Sequence, residues 1–317
     1  MSRQIELDES RRAELVESPA PTVLDDGHVR IRVVLAGVNY WEVMQRQGRV
    51  PLPGRIPGTE GVGVITEVGG DVDSLSAGTR VAWSRVPGSW AEVIAAPATS
   101  LVPVPDGVPD EAAASVLFQG LTAHYLCHDT WPLSSGDTAI VTAAAGGVGQ
   151  LLTQLLVAAG VQVLGVVSSE AKAEAARAAG ASAVLQYGED LAAQVLALEP
   201  GGMAAVFDAI GGGVAEPLIG SLRPRGAMVL YGSSSGQEAQ IAARDLSAGS
   251  WYLTRAAGRD YLGDASTISA RSVHLLDLVA RGVMRPAIGA TYPLAEAGRA
   301  LDDLESRATV GKLLLRP

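Results

Sequence analysis

Cysteine occurs once in this chain of 317 residues, at Cys127, and lysine only twice, at Lys172 and Lys312. A lone cysteine excludes a disulfide framework and any zinc site built from several thiolates, and it suits a reducing compartment. Acidic residues outnumber basic ones 34 to 24, giving a net charge of −10, and no basic run offers nucleic-acid phosphates a continuous footprint. The five tryptophans, Trp41, Trp83, Trp90, Trp131 and Trp251, share no period and form no stacking platform. Where a signal peptide would carry its apolar core, the chain reads MSRQIELDESRRAEL. A cytoplasmic protein is expected.

Charge is also missing from Thr138 to Ser169, 32 residues that exceed the ~20 needed to cross a bilayer. Gly146, Gly147, Gly149, Gly160 and Gly165, with Gln150, Gln154 and Gln162, break this run into strand, turn, helix and second strand. No positive flank sets a membrane orientation. A buried βαβ unit, its parallel strands covered on both faces, accounts for the same absence, and no membrane partner is expected.

What is present divides the chain. A hydrophobic content of 48% over this length supports two packed domains, since single cores stop growing near ~250–300 residues. His28 to Val33 alternates, and Gly61 to Val68 is bounded by Gly58 and Gly69-Gly70, which predicts a compact, mostly β domain. Past the proline-rich stretch Val102–Pro109, alanine, leucine and valine appear at helical spacing. Strands over 139–142, 161–167, 183–185, 204–208 and 227–231 then alternate with helices over 148–159, 170–179, 189–198 and 214–222. That order predicts an α/β fold with a doubly wound parallel sheet. Helices over 270–282 and 295–305 and a strand over 310–315 leave the alternation, so the tail is expected to fold back onto the first domain.

Ala144 to Gly149 matches the dinucleotide fingerprint G-x-G-x-x-G, with Ala144 in place of the first glycine. An apolar strand precedes it and an apolar helix follows. Gly146 lets the backbone approach a pyrophosphate, Gly149 lets helix and strand pack closely, and Ala145, Gly147 and Val148 bring N–H groups to the helix start. After the second strand, where an NAD site usually places an acid for the ribose 2′-hydroxyl, this chain has Ser168-Ser169 and then Lys172. Two hydroxyls and a scarce lysine suit a 2′-phosphate, so NADPH is the expected cofactor. Gly232 and Ser233, after the fifth strand, are expected to line the cofactor crevice.

Two patterns point elsewhere and fail on context. Gly232 to Gly236 fits the nucleophile motif G-x-S-x-G, with Asp264 and His274 later in the chain, but no amphipathic helix follows it. His124, Cys127 and His128 have helical spacing but sit on an apolar helix, with Asp129 as the only nearby carboxylate, so no metal is expected.

The motifs Ala36–Tyr40, Pro57–Gly63, Gln119–Ala123, Ala143–Gly149, Leu222–Gly226 and Leu304–Lys312 together resemble the zinc-independent quinone oxidoreductases, zeta-crystallin-like members of the medium-chain dehydrogenase/reductase superfamily. The resemblance covers almost the whole chain. It implies a GroES-like catalytic domain at 1–117, completed by 258–317, a Rossmann domain at 118–257, and a homodimer. It implies further cofactor contacts from Thr122, Tyr187 and Lys312. The positions of Trp41, Glu42 and Val50 surround the expected substrate space and depart from the usual family residues, so substrate identity does not carry over.

The expected reaction is hydride transfer from NADPH to a quinone or to the C=C bond of an α,β-unsaturated carbonyl. With no metal, the developing oxyanion must be met by donors, for which the Asn39 amide and the Tyr40 hydroxyl are the candidates. Two alternatives accompany this reading: a specialised biosynthetic enoyl reductase, and a non-catalytic NADPH-binding protein.

Overall fold

In the N-terminal third, apolar residues at every second position build strands, and glycines at positive φ turn the chain between them. The computed structural model describes residues 1–21 and 24–317. Its first elements are β1 (Ser2–Leu7), β2 (Ala13–Ser18), β3 (His28–Val38), α1 (Tyr40–Arg46), β4 (Glu60–Val68), β5 (Arg80–Ser84), β6 (Val93–Pro97), β7 (Leu101–Pro103) and α2 (Asp110–Tyr125). Along β3 the side chains of Val29, Ile31, Val33 and Leu35 are buried in alternation, and the fully buried Trp83 and Trp90 fill the core beside them.

Next come β8 (Thr138–Thr142), α3 (Gly147–Ala158), β9 (Gln162–Val167), α4 (Glu170–Ala178), β10 (Ala183–Gln186), α5 (Leu191–Leu198), β11 (Met203–Asp208), α6 (Gly212–Leu218), β12 (Leu222–Leu230), β13 (Tyr252–Arg255) and α7 (Gly258–Leu262). Six strands pair in parallel in the order β10-β9-β8-β11-β12-β13. This is the doubly wound order, and its direction reverses between β8 and β11, which opens a crevice at the strands' C-terminal ends. Two features differ from the sequence expectation. β12 begins at Leu222, because the exposed Arg223, Pro224 and Arg225 that resemble a loop are already part of the strand. The short, partly exposed β13 adds an edge that no apolar run announces.

The tail holds α8 (Ala265–Ala280), β14 (Ile288–Pro293), α9 (Ala297–Glu305) and β15 (Lys312–Arg316). It rejoins the N-terminal part: one unit comprises Met1–Leu121 with Asp264–Pro317, and the other Thr122–Gly263. The divisions expected after 117 and 257 lie slightly early. α2 is one continuous helix, and the carboxylate of Asp264 accepts from Thr267 N–H to start α8. The first unit's main sheet runs β14-β15-β3-β4-β5-β7, with β6 also paired to β3. β15 lies antiparallel to β3 with Leu313 opposite Val38, and β4 lies on its other side with Gly61 opposite Ala36. The C-terminal end of β3 is thereby flanked by Lys312 and Glu60.

Candidate active site

The turn after β8 is built from close backbone packing. Ala143 adopts φ 49°, and Gly146 begins α3. A Cβ on Gly149 would overlap the Ala143 carbonyl and come within 2.9 Å of Ala144 Cα, so only glycine lets the helix sit on the turn. The methyl of Ala144 is accommodated because the facing residue of β9 is Gly165, whose own Cβ would stand 3.0 Å from it. No side chain caps α3, which leaves its first N–H groups, from Gly147, Val148 and Gly149, to receive an anion. Tyr187 braces the turn: its hydroxyl accepts from Ala143 N–H at 2.7 Å and donates to the Val166 carbonyl at 3.3 Å.

At the end of β9, Lys172 Nζ donates to Ser168 Oγ at 3.1 Å, while Glu170 pairs with Arg177 at 3.0 Å and Ser169 starts α4 in an extended conformation. Gly232 and Ser233 follow β12, where a Cβ on Gly232 would come within 2.6 Å of the Ala209 carbonyl oxygen. The last residue of β11 is the fully buried Asp208, which accepts from Thr142 Oγ1 at the end of β8 at 2.8 Å, Ile210 N–H at 3.1 Å and Gly211 N–H at 2.7 Å. Burial pushes its carboxyl above the usual range, and its bonds tie the two strand ends together at the reversal point. An uncapped helix start, close glycines, and a Ser168–Lys172 pair in place of an acid fit a dinucleotide bearing a 2′-phosphate.

In the other unit, the end of β3 carries a buried polar cluster. Lys312 Nζ donates to Asn39 Oδ1 at 2.6 Å and forms an ion pair with Glu60 Oε1. Asn39 Nδ2 donates to that same oxygen at 2.8 Å, and Phe118 N–H donates to Glu60 Oε2 at 2.9 Å. Glu42, in the first turn of α1, accepts from Asn39 N–H at 2.7 Å through Oε2 and from Thr59 Oγ1 at 2.9 Å through Oε1. Burial raises the Glu42 pKa to about 7, and Glu60 adds to the rise; Lys312, the Thr59 hydroxyl and the Asn39 amide oppose it. Tyr40 and Trp41 are half-buried at the start of the helix.

Residues 147–266 match the family model described as zinc-binding dehydrogenase, and residues 25–106 match the alcohol dehydrogenase GroES-like domain. A quinone oxidoreductase of Pseudomonas aeruginosa is 37% identical over 296 residues, 91% of each chain. A 2-haloacrylate reductase of a Burkholderia species is 35% identical over 315 residues, 95% of this chain and 93% of its own. The crystal structure of Escherichia coli quinone oxidoreductase complexed with NADPH has a TM-score of 0.92 at 31% identity, covering 99% of this chain and 100% of that one. The chain belongs to the quinone oxidoreductase family.

This family of the medium-chain dehydrogenase/reductase superfamily is one of NADPH-dependent oxidoreductases, with a GroES-like unit and a Rossmann unit, and both are present here. Among the described residues no group of three His, Cys, Asp or Glu side chains is arranged to hold a metal ion. The rings of His124 and His128 lie 4.5 Å apart, tilted by 56°, where α2 gives way to a wider turn over 126–130, and burial pushes the Cys127 thiol up to about 11. Asp264 of the hydrolase-like pattern is occupied as a helix cap.

Three assignments made from sequence change with the geometry. Glu42 does not line an open pocket, because its side chain is fully buried under Asn39 and Thr59. Lys312, expected at the cofactor, spends its ammonium on Asn39 and Glu60 at 1% exposure. The Asn39 amide, expected to be free for an oxyanion, already gives one N–H to Glu60. Val50 lines an open cavity of about 620 Å³ with Arg11, Arg49 and Arg55, between the β1–β2 turn and the loop after α1. Thr122 is half-buried in α2. Sequence reasoning assigned no role to Thr59, Glu60 or Asp208. The first two stand in the quoted motif Pro57–Gly63, and the third is the one charge in an otherwise apolar strand.

Proposed function

We propose that this protein reduces a conjugated carbonyl acceptor, a quinone or the C=C bond of an α,β-unsaturated carbonyl, at the expense of NADPH. The observation that carries this reading is the Ser168–Lys172 pair beyond an uncapped glycine turn, in a member of this family. NADPH, when bound, supplies hydride. Gly146, Gly147, Val148 and Gly149 would hold its pyrophosphate and Ser168 and Lys172 its 2′-phosphate, with Ala145, Ser169, Tyr187, Gly232 and Ser233 shaping the cradle. In the first unit, the Tyr40 hydroxyl and the second N–H of Asn39 are the donors offered to a developing oxyanion, and Lys312 and Glu60 hold the Asn39 amide in one orientation.

The test is NADPH oxidation, with NADH as control, against a benzoquinone, an alkyl enone and 2-haloacrylate. Oxidation that depends on acceptor and prefers NADPH is expected, and Lys172→Ala should weaken NADPH binding about tenfold, or ~1.4 kcal/mol, while leaving NADH binding unchanged. Tight NADPH binding without turnover would instead favour the non-catalytic alternative.

We also infer a cytoplasmic homodimer. No described helix is long and apolar enough to cross a membrane, and β13 offers a sheet edge with the exposed Tyr252 and Leu253. A monomeric mass in sedimentation equilibrium removes the dimer.

A further inference from the structure

We propose that Glu42 and Thr59 form a proton relay, in which neutral Glu42 stores the proton and the Thr59 hydroxyl delivers it to the reduced acceptor. The relay rests on the function proposed above, since hydride transfer to a quinone or enone leaves an anion that needs one proton. The two oxygens of Glu42 are not equivalent. Oε2 faces the Asn39 N–H, which can only donate, so the carboxylic proton belongs on Oε1, and the partner there is Thr59 Oγ1 at 2.9 Å. When Oε1–H donates, the threonine hydroxyl turns from donor to acceptor and its own proton is released for another partner. Thr59 is also the outermost member of the cluster. It keeps 9% of its surface, against 2% for Asn39, 1% for Lys312 and none for Glu42 and Glu60.

The charges around Glu42 explain why it is the group that stores a proton. Glu60 is matched by the Lys312 ammonium and two N–H donors, so the second carboxylate, itself fully buried, has no counter-charge of its own. Elsewhere on α1, Arg46 is committed to Asp302 and Glu305 of α9. Burial and the neighbouring Glu60 outweigh Lys312, and the resulting pKa of about 7 lets Glu42 both give and regain a proton near neutral pH.

The balance is complete without a further reagent. The acceptor gains two electrons and one hydrogen as hydride from NADPH and becomes an oxyanion or enolate. The Thr59 Oγ–H bond breaks and its proton passes to that anion, while the Glu42 Oε1–H bond breaks and its proton replaces the one lost from Thr59. Glu42, now a carboxylate, regains a proton from solvent.

Glu42→Gln tests the relay, because glutamine can still accept from Asn39 N–H and donate to Thr59 but has no exchangeable acid. In the protein without ligands, infrared spectroscopy should show a carboxylic acid C=O band that titrates near pH 7 and is missing from E42Q. With NADPH and an alkyl enone, E42Q and Thr59→Val should each lose about 10²-fold in kcat and the inflection near neutral pH, with NADPH affinity retained, and Thr59→Ser should restore both. An unaltered pH profile in E42Q, or an infrared band that survives the substitution, overturns the relay. Should E42Q fail to fold, Thr59→Val against Thr59→Ser decides the matter alone. Absence of turnover in the unmodified protein overturns the functional reading and the relay with it, whereas normal turnover in folded E42Q overturns only the relay.

Discussion

Gly37 is what allows a charged cluster to occupy the end of a buried strand. A Cβ at this position would come within 2.6 Å of Glu60 Cγ, so the absence of a side chain in β3 makes the space into which Glu60 folds. The same cluster links stability to pH. Glu42 is raised from 4.5 to about 7 in the folded protein, so the native state binds more protons than the unfolded chain between those values. Stability is therefore fullest below about pH 4.5 as far as this group is concerned, and it is lost as pH rises through about 7. The loss is on the order of 3 kcal/mol for a shift of this size. Denaturant unfolding at pH 5 and pH 8 should show E42Q gaining by that order relative to the unmodified protein at the higher pH. A constant difference between the two proteins would mean that Glu42 is charged in the native state at both.

At the scale of elements, what could be read from the sequence was what repeats. The apolar strand, glycine turn and helix at β8 and α3 were legible because parallel strands must be apolar on both faces and the turn requires glycine at fixed places. The hairpin of β1 and β2 was not, since the charged residues on its outer face hide the inward Ile5 and Leu7. β13 is four residues long and exposed, and carries no hydrophobic signature at all. The buried cluster was illegible for a different reason: its partners are paired by sheet register, and Lys312 meets Asn39 across 273 residues of chain. Local patterning reports burial, and it does not report which distant charge compensates another. The α3 turn also makes a prediction of its own. Gly149→Ala puts a methyl against the Ala143 carbonyl and should push the helix start out of line, costing about 1–3 kcal/mol as an overpacked site and weakening NADPH at least tenfold, or ~1.4 kcal/mol. Calorimetry of the folded variant with NADPH would test it, and an unchanged affinity would mean that the α3 start does not hold the pyrophosphate.

In the molecule as a whole, the chain leaves its first unit at Leu121 and returns to it at Asp264, so residues from both ends of the chain share one sheet and the segment between them builds a separate parallel one. The residues proposed to hold the nucleotide, Ala143 to Gly149, Ser168 to Lys172, Tyr187 and Gly232-Ser233, all lie in the inserted unit, whereas Lys312 belongs to the last strand of the other. This division separates two roles for Lys312. If its ammonium serves Glu60 and Asn39, Lys312→Met leaves a buried carboxylate without its counter-charge, which costs about 3–5 kcal/mol in the first unit alone. Hydrogen exchange should then show protection lost from β3, β4 and β15 and kept in β8, β9 and β11, with NADPH affinity unchanged. Unfolding of such a variant would not be two-state, because one unit would melt ahead of the other. If NADPH affinity falls instead while protection in β3 and β4 persists, the ammonium acts on the cofactor, as the family resemblance implied, and its pairing with Glu60 is the resting position of a side chain that moves.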